Sequence, residues 1–451
     1  MHKSSFPQLL LFTLIAVITL QVFPLKGDWE RVPVSVLKEF NAITFTDSRT
    51  GYLVGRGIYK TINGGLSWFE PVRFTGSEIE IWDISALSEE HIWFAAGESG
   101  LLFSTDGARS LIQRNGSLPV GEIRAVEFSS DNKGLICIKN NESGKTSILR
   151  TQDGGLSWAD VTPAELENLK TVLDSLLEGF AFRWFQAGIY DGFLLSDLAK
   201  KYYKEKLHFT SPNEGWLKTA AGLFYTADAG TNWSLIKAGN ILDFAILDSG
   251  KIIVSVEEEP NQRTIFISED MGQTYNEIRQ EGLPVSKLAF LDNDTGWGAS
   301  GEHIYKTVDG GLSWELEYTV PYDSLIDYSR IEFTVPKQQF VYDLFVSPDS
   351  TGWAAGTGNT LFVLNPAGTL TTGDINGDRK IDIYDLLELI KGIKVQCDYY
   401  STYFPHWSAG EIAFHKKYYF PIMQRSRFDL NHDGGFNIFD LLEMLKIMSR
   451  R

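Results

Sequence analysis

The hydrophobic and polar positions between residues 28 and 368 repeat with a spacing of roughly forty residues. Each period starts with an apolar run that ends in a polar turn, as at 287–292. A run rich in small residues follows, such as 296–301 or 352–356, and a third run leads into a turn containing Asp and Gly. This order predicts four short antiparallel strands per period, which is the composition of one blade of a β-propeller.

In most periods the turn before the last strand follows the pattern Ser/Thr-x-Asp-x-Gly-x-x-Trp. It occurs at 151–158, 226–233 and 307–314, and at 61–68 with Asn63 in the Asp position; weaker copies occur at 268–275 and 104–108. We expect the Asp side chain to cap its own turn by accepting backbone N–H groups, and the Gly to supply a positive φ. The aromatic residue should then pack beneath the hairpin as the next strand begins.

This motif resembles the Asp-box of BNR-type propellers. Together with strands of the type Gly-Trp-Ala-Ala-Gly, it is similar to the photosystem II assembly-factor family over nearly all of residues 28–368. That resemblance implies a propeller that serves as a binding platform. Many secreted bacterial proteins share the pattern, and nothing in this sequence indicates a photosynthetic role.

The repeats predict an all-β propeller of about seven four-stranded blades, with six or eight blades as alternatives. The predicted blades begin near Asn41, Ile81, Ile123, Lys206, Ile241, Ser286 and Val341. The last blade has three strands and no clear Asp-box, while Trp29 and the residues after it stand where a fourth strand is missing. We therefore predict that the N-terminal strand completes the last blade, which leaves no exposed sheet edge.

Two insertions, at about 162–205 and 315–339, interrupt the even spacing. The first opens with Thr162-Pro163-Ala-Glu165, a capping-box pattern, and leucines then recur at helical spacing, so a helical insertion is predicted. Both insertions join the outer strand of one blade to the inner strand of the next, and such connections lie on one propeller face. Their aromatic residues either form a platform for a glycan or peptide or pack the insertions onto the rim. The candidate ligand-face residues are Trp184, Phe185, Tyr190, Tyr322 and Tyr328.

The C-terminal segment, 369–451, carries the same acidic loop twice, and an apolar helical pattern follows each copy. Ca²⁺ prefers six to eight oxygen ligands, and a loop with oxygen side chains at positions 1, 3, 5, 9 and 12 can surround it. At position 7, here Lys380 and Gly435, the ligand is the backbone carbonyl. The loops predict two Ca²⁺ sites at Asp374, Asn376, Asp378, Lys380, Asp382 and Asp385, and at Asp429, Asn431, Asp433, Gly435, Asn437 and Asp440.

The paired loops resemble a dockerin module, a small α-helical calcium domain that docks secreted bacterial proteins onto cohesins. Both loops end in Asp, as dockerin loops characteristically do. The resemblance implies that residues 370–451 bind a cohesin-like or envelope protein. In cellulosomal dockerins the residues at positions 10 and 11, often small hydroxyl residues, face cohesin; here they are Ile383, Tyr384, Ile438 and Phe439. A calcium-stabilised terminal domain without a cohesin partner is the alternative.

Residues 1–27 combine a positively charged start with an apolar run, which is typical of a secretory signal peptide. We therefore expect a secreted or cell-surface protein of bacterial type, with no membrane span beyond this leader. The net charge of −17 disfavours nucleic acid as a partner. The two cysteines, Cys137 and Cys397, are expected to be buried or free thiols rather than a disulfide between domains.

Three functions fit the sequence. The first is an exported, non-catalytic binding or scaffold protein, whose propeller is an interaction platform and whose dockerin-like module attaches it to a partner. The second is a carbohydrate-active hydrolase delivered to polysaccharide, because Asp-box propellers include sialidases and other glycan hydrolases. A glycosidase needs two suitably spaced carboxylates, and the sequence does not mark out such a pair. Sialidases carry an Arg-Ile-Pro motif at their first substrate-binding arginine, and this sequence lacks it, so no catalytic residue is predicted. The third is a structural envelope protein.

Overall fold

The computed structural model describes residues 28–32, 39–62, 64–65, 68–72, 79–168, 204–219, 222–259, 262–279, 285–320, 341–348, 350–357 and 361–365. Within these ranges the strands form seven separate sheets, and paired strands are antiparallel. The sheets follow one another along the chain as blades, so the prediction of an all-β propeller with seven blades is confirmed.

In each of the first three blades the strands follow the order of the sequence, from the inner strand at the channel to the outer strand. Blade 1 contains β2 (Phe40–Phe45), β3 (Gly51–Gly55) and β4 (Gly57–Thr61). Blade 2 contains β5 (Asp83–Ala86), β6 (Ile92–Ala95), β7 (Leu101–Ser104) and β8 (Ile112–Gln113). Blade 3 contains β9 (Glu122–Phe128), β10 (Gly134–Lys139), β11 (Thr146–Thr151) and β12 (Ala159–Asp160). In blade 1 a single bridge between Lys60 and Phe69 stands where the other blades have a fourth strand.

The next three blades repeat the four-stranded order. Blade 4 contains β13 (Lys206–Phe209), β14 (Gly215–Thr219), β15 (Gly222–Thr226) and β16 (Ser234–Ala238). Blade 5 contains β17 (Asn240–Ile246), β18 (Ile252–Glu259), β19 (Gln262–Ser268) and β20 (Asn276–Ile278). Blade 6 contains β21 (Lys287–Phe290), β22 (Gly296–Ser300), β23 (His303–Thr307) and β24 (Glu315–Thr319).

The last blade is built from both ends of the propeller sequence. Blade 7 contains β25 (Val341–Val346), β26 (Gly352–Gly356), β27 (Leu361–Asn365) and β1 (Asp28–Arg31). Strand β1 pairs with β27 as the outermost strand, with Trp29 opposite Leu364. The predicted closure by the N-terminal strand is therefore confirmed, and β27 is not left as an open edge.

The hydrophobic core lies between blades rather than within one sheet. Seven buried clusters fill the interfaces between neighbouring blades, one at each junction of the ring. The tryptophans of the second strands supply much of this packing. Trp93 of β6 stacks on Phe128 of β9 with ring centroids 4.1 Å apart, and Trp353 of β26 stacks on Phe45 of β2 at 3.8 Å. These stacked pairs therefore help to hold blade 2 against blade 3 and blade 7 against blade 1.

The Asp-box turns have the predicted geometry. In the turn after β11, one carboxylate oxygen of Asp153 accepts the backbone N–H groups of Leu156 and Ser157, and the other accepts the Ser157 hydroxyl. The Thr151 hydroxyl in turn accepts the amide of Gly155, whose φ of 88° favours glycine. The indole N–H of Trp158 donates a hydrogen bond to the Gly155 carbonyl, at 3.2 Å, and this bond closes the turn.

The first insertion begins differently from the prediction. Thr162 does not cap a helix, because its hydroxyl accepts the amide of Ile148 in β11. The chain continues as a short 3₁₀ helix, Ala164–Asn168, and residues 169–203 lie outside the described residues. The prediction of an α-helix in this insertion is therefore not tested beyond its first turn.

The second insertion begins later in the sequence than predicted. Residues 315–319 form β24, the outer strand of blade 6, because the Asp-box tryptophan Trp314 ends the turn and the strand starts at once. Cys137 is a buried free thiol in β10, as predicted. No helix among the described residues is long and apolar enough to cross a membrane.

Candidate functional site

The strand registers place one residue from each blade at the same level of the central channel. Each of these residues lies on an inner strand and pairs with the corresponding position of the second strand, such as Asp83 with Ala95 or Lys206 with Lys218. We call this set the inner ring. It comprises Ala42, Asp83, Ala125, Lys206, Asp243, Lys287 and Asp343.

The three aspartates of the inner ring connect neighbouring blades. Oδ2 of Asp83 accepts the backbone N–H of Val126, Oδ2 of Asp243 accepts that of Leu288, and Oδ2 of Asp343 accepts that of Ile43. Each of these distances is 3.0 Å, and each bond crosses from one inner strand to the next. The carboxylates therefore act as links between blades 2 and 3, 5 and 6, and 7 and 1.

Lysines compensate the charge of these aspartates. The Nζ of Lys204 lies 2.7 Å from Oδ1 of Asp83, and the Nζ of Lys206 lies 2.7 Å from Oδ1 of Asp243. Lys287, in blade 6, stands between the aspartates of blades 5 and 7 and interacts with both charges. From blade 4 to blade 7 the inner ring thus alternates in sign, which reduces the cost of burying charge in the channel.

The electrostatics follow this arrangement. Burial alone would lower the pKa of Lys206, but the adjacent Asp243 carboxylate raises it above the usual value. Burial would raise the pKa of Asp243, yet the charges of Lys206 and Lys287 and its hydrogen bonds hold it below the usual value. For Asp343 burial prevails and its pKa is raised. The inner ring is therefore a compensated charge network that joins the blades.

Lys218 is a buried charged residue at a position where the other blades have small or apolar residues. It lies on β14, where the equivalent residues of the other blades are Val54, Ala95, Cys137, Ser255, Ala299 and Ala355. The residue is only 1% exposed, and its Nζ donates to the backbone carbonyl of Lys204. Burial, reinforced by the charge of Lys287, lowers the pKa of Lys218 to about 7.

Two residues farther along each inner strand, a second ring surrounds the channel opening on the face of the Asp-box turns. We call it the mouth ring. It comprises Thr44, Ser85, Glu127, His208, Ala245, Ala289 and Phe345. Nδ1 of His208 lies 4.0 Å from Oε1 of Glu127, and both side chains remain partly exposed. A cavity of about 360 Å³ opens beside Glu127.

Glu127 and His208 have perturbed protonation. Burial, together with the Asp83 charge, raises the pKa of Glu127 to about 8. Burial and the nearby Lys206 charge lower the pKa of His208 to about 4. Because a carboxyl is uncharged below its pKa and an imidazole is uncharged above it, both shifts favour the uncharged form of the group.

The site residues predicted from sequence lie elsewhere in the chain. The candidate calcium ligands in 374–440, the partner-binding residues of the same loops and the five aromatic residues of the two insertions all lie outside the described residues. Among the described residues, no three His, Cys, Asp or Glu side chains are grouped to hold a metal ion. Sequence reasoning missed both channel rings. The one available signal was Lys218, which stands at an otherwise small or apolar position of the repeat.

Solved structures share the propeller fold at low sequence identity. YCF48 bound to D1 peptide is 18% identical with a TM-score of 0.51, and it covers 75% of this chain and 97% of its own. YCF48 from Cyanidioschyzon merolae is 17% identical with the same TM-score, covering 75% of this chain and 99% of its own. The GH74 xyloglucanase from Xanthomonas campestris is 13% identical at a TM-score of 0.51 over 76% of this chain. The match spans only 54% of that enzyme.

Two family models match parts of the chain. Residues 372–449 match the dockerin type I domain, which bears out the resemblance drawn from the two acidic loops. Residues 216–289, within blades 4 to 6, match the model described as sortilin, neurotensin receptor 3. No curated protein sequence matches this chain. The chain is thus a seven-bladed Asp-box propeller similar in fold to YCF48, followed by a segment that matches the dockerin type I model.

Proposed function

We propose that this chain is an exported, non-catalytic binding protein whose propeller is an interaction platform. One observation carries the proposal: a closed propeller and a segment matching the dockerin type I model occur in the same chain. Dockerin domains are typical of extracellular or cell-surface bacterial proteins and bind cohesins. Residues 1–27 would direct export, and the segment 369–451 would attach the propeller to a cohesin-like or envelope protein.

The chemistry of the channel supports a binding role over a catalytic one. Asp83, Asp243 and Asp343 each accept a backbone N–H of the neighbouring blade, so these carboxylates are engaged in holding the ring together. One of the similar structures is titled as YCF48 bound to D1 peptide, which gives a precedent for a propeller of this fold as a peptide-binding platform. The first insertion, and the second, which begins after β24, would supply the ligand face through Trp184, Phe185, Tyr190, Tyr322 and Tyr328.

Calcium would control the attachment. Dockerin type I domains bind calcium, and the two acidic loops of this chain supply carboxylate and amide oxygens at the positions that the ion requires. Each loop would bind one Ca²⁺, and ordering of the loops would let the apolar helices behind them pack together. The partner would then contact Ile383, Tyr384, Ile438 and Phe439 on this ordered surface.

The test is a calcium-dependent capture with the full chain as bait against the secreted and envelope proteins of its source. We expect a cohesin-like protein to be retained with Ca²⁺ and released by a chelator. The double variant D374A/D429A should lose capture, because each substitution removes the first ligand of its loop. D153A is the matched control, since it removes an Asp of the propeller turns instead. Capture that survives the chelator, or no capture despite calcium binding, would contradict the proposal.

A hydrolase is the second candidate, and one observation favours it. Glu127 is a carboxyl whose pKa is raised by burial and which lines a cavity, and both are properties of a general acid. The test is hydrolysis of xyloglucan and of a sialoside by the full chain, followed by the E127Q variant. Turnover that E127Q abolishes would favour the hydrolase, whereas binding without turnover would favour the platform.

A further inference from the structure

The cavity at the mouth ring combines hydroxyl groups with apolar walls. Its hydroxyl side chains come from the inner strands and from the turns that follow them: Thr44, Ser85, Ser129, Thr210 and Ser211. Ile84, Phe128 and Phe209 form the apolar part of the lining. With a volume of about 360 Å³, the cavity falls in the range of roughly 300–1,000 Å³ that small-molecule sites occupy.

The mouth ring as a whole has two different sides. Blades 1 to 4 contribute Thr44, Ser85, Glu127 and His208, which can all form hydrogen bonds. Blades 5 to 7 contribute Ala245, Ala289 and Phe345, which cannot. Ala245, Ala289 and Phe345 pack against the interfacial cores. The cavity is lined on the other side of the ring, by Thr44, Ser85 and Glu127.

Among the described residues, no lysine or arginine lines the cavity, and Glu127 is its one ionisable lining residue. The pKa of Glu127 is raised, which favours its uncharged form. The charged groups that act on Glu127 and His208 are Asp83, Lys206 and Asp243; Lys206 pairs with Asp243, and Asp83 pairs with Lys204. A ligand carboxylate would thus find no unpaired cation among the described residues of this cavity.

One lining group still lacks a hydrogen bond. The Oγ of Ser129 is buried and has no hydrogen-bond partner among the described residues. A buried hydroxyl of this kind gains from a partner that brings its own donors and acceptors. Ser129 lies in the turn directly after β9 and lines the cavity together with Glu127, so a ligand in the cavity would be close to both.

We propose that the mouth ring is a binding site for an uncharged sugar unit of a glycan. A sugar has hydroxyl groups along its edges and apolar C–H faces, so it matches the hydroxyl and apolar lining of the cavity, whose described residues include no lysine or arginine to attract an acid. The inference rests on the proposed function, because it names a ligand class for the propeller as a binding platform. It adds a second site, on the face of the Asp-box turns, to the ligand face proposed for the insertions.

The first experiment is ligand-observed saturation-transfer NMR on the full chain at pH 6.5. The probes are glucose, galactose and xylose, each compared with an acidic sugar, namely glucuronic or galacturonic acid. We expect at least one neutral sugar to bind with a dissociation constant about tenfold or more below that of the matched acid. Saturation by none of the neutral sugars, or equal affinity for the acids, would overturn the proposal.

Variants assign the binding to this cavity. E127A and S129A should each weaken binding of the neutral sugar several-fold, whereas E127Q should retain it, because the amide is a neutral isostere of the protonated carboxyl. S249A is the matched control, since Ser249 occupies the corresponding turn of blade 5 and does not line the cavity. S129A changes the turn after β9 and leaves the strand itself intact, so it remains informative if E127A fails to fold. Undiminished binding by both E127A and S129A would overturn the assignment.

This outcome is separable from that of the proposed function. Sugar binding is measured without any protein partner, and the calcium-dependent capture is measured without sugar. Captured cohesin without sugar binding would reject only the mouth-ring site. Sugar binding without capture would reject only the docking role.

Discussion

The indole nitrogen of Trp29 lies 2.9 Å from Oε2 of Glu317, a buried carboxylate in β24. The same oxygen accepts the indole N–H of Trp297 at 2.7 Å, and Lys306 lies 3.7 Å from the other carboxylate oxygen. Glu317 thus ties the N-terminal strand, which completes blade 7, to blade 6. One carboxylate satisfies two buried donors at the point where the ring closes.

Removing this carboxylate should destabilise the propeller. E317A would leave two buried indole N–H groups without an acceptor and Lys306 without its partner, so we expect a loss of about 3 kcal/mol in the free energy of unfolding. Urea unfolding followed by tryptophan fluorescence measures the change. E315A is the control, because Glu315 lies on the same strand with its side chain exposed. Equal midpoints for the two variants would show that the Trp29–Glu317 contact does not stabilise the closure.

The blades were predictable from sequence because their determinants are local. An Asp-box such as 151–158 contains its own hydrogen bonds, and each strand pairs with the next one along the chain. The closure could also be predicted, since blade 7 lacked a strand and the residues around Trp29 supplied one. Element ends were less certain: residues 315–319 look like the start of an insertion until the pairing of β24 with β23 is known.

The channel could not be predicted in the same way. Its rings take one residue from each blade, from Ala42 to Asp343, so no short window of sequence contains the site. Whether an aspartate reaches the neighbouring blade depends on strand register, and register follows from the closed ring. Glu127 and His208 are far apart in sequence and meet only because β9 and β13 are neighbours in the ring.

Lys218 should reduce stability near neutral pH. Its pKa is lowered to about 7 in the folded protein, so between about pH 7 and pH 10 the unfolded chain binds a proton that the folded protein does not, and stability rises with pH. K218M removes this dependence. We expect its gain in the free energy of unfolding to be about 2 kcal/mol larger at pH 7 than at pH 9.

Chemical denaturation at both pH values tests this expectation. The control is K133M, which replaces an exposed lysine and should change stability equally at pH 7 and pH 9. If the effect of K218M were also the same at the two pH values, the charge of Lys218 would not be the cause.

The Asp-box carboxylates should make the propeller sensitive to acid. Hydrogen bonds from the hydroxyl and backbone N–H of Ser157 lower the pKa of Asp153 to about 2. A lowered pKa contributes stability that is fully present above the unfolded value and is lost as pH falls through the folded value. We therefore expect D153A to lower Tm at pH 5, and this deficit to shrink between about pH 4 and pH 2. Q152A, an exposed neighbour, is the control; a deficit independent of pH would contradict the role of the charge.

Calcium removal should act on the C-terminal segment and leave the propeller folded. The propeller is held by seven interfacial cores and by its strand closure, whereas the segment 369–451 has two acidic loops whose carboxylates repel one another without a cation. Limited proteolysis with mass spectrometry should show cleavage confined to 369–451 after chelation, with protection restored by Ca²⁺. D374A should weaken protection, and D153A, in the propeller, should not. A C-terminal segment equally resistant with and without the chelator would show that it does not depend on calcium for its fold.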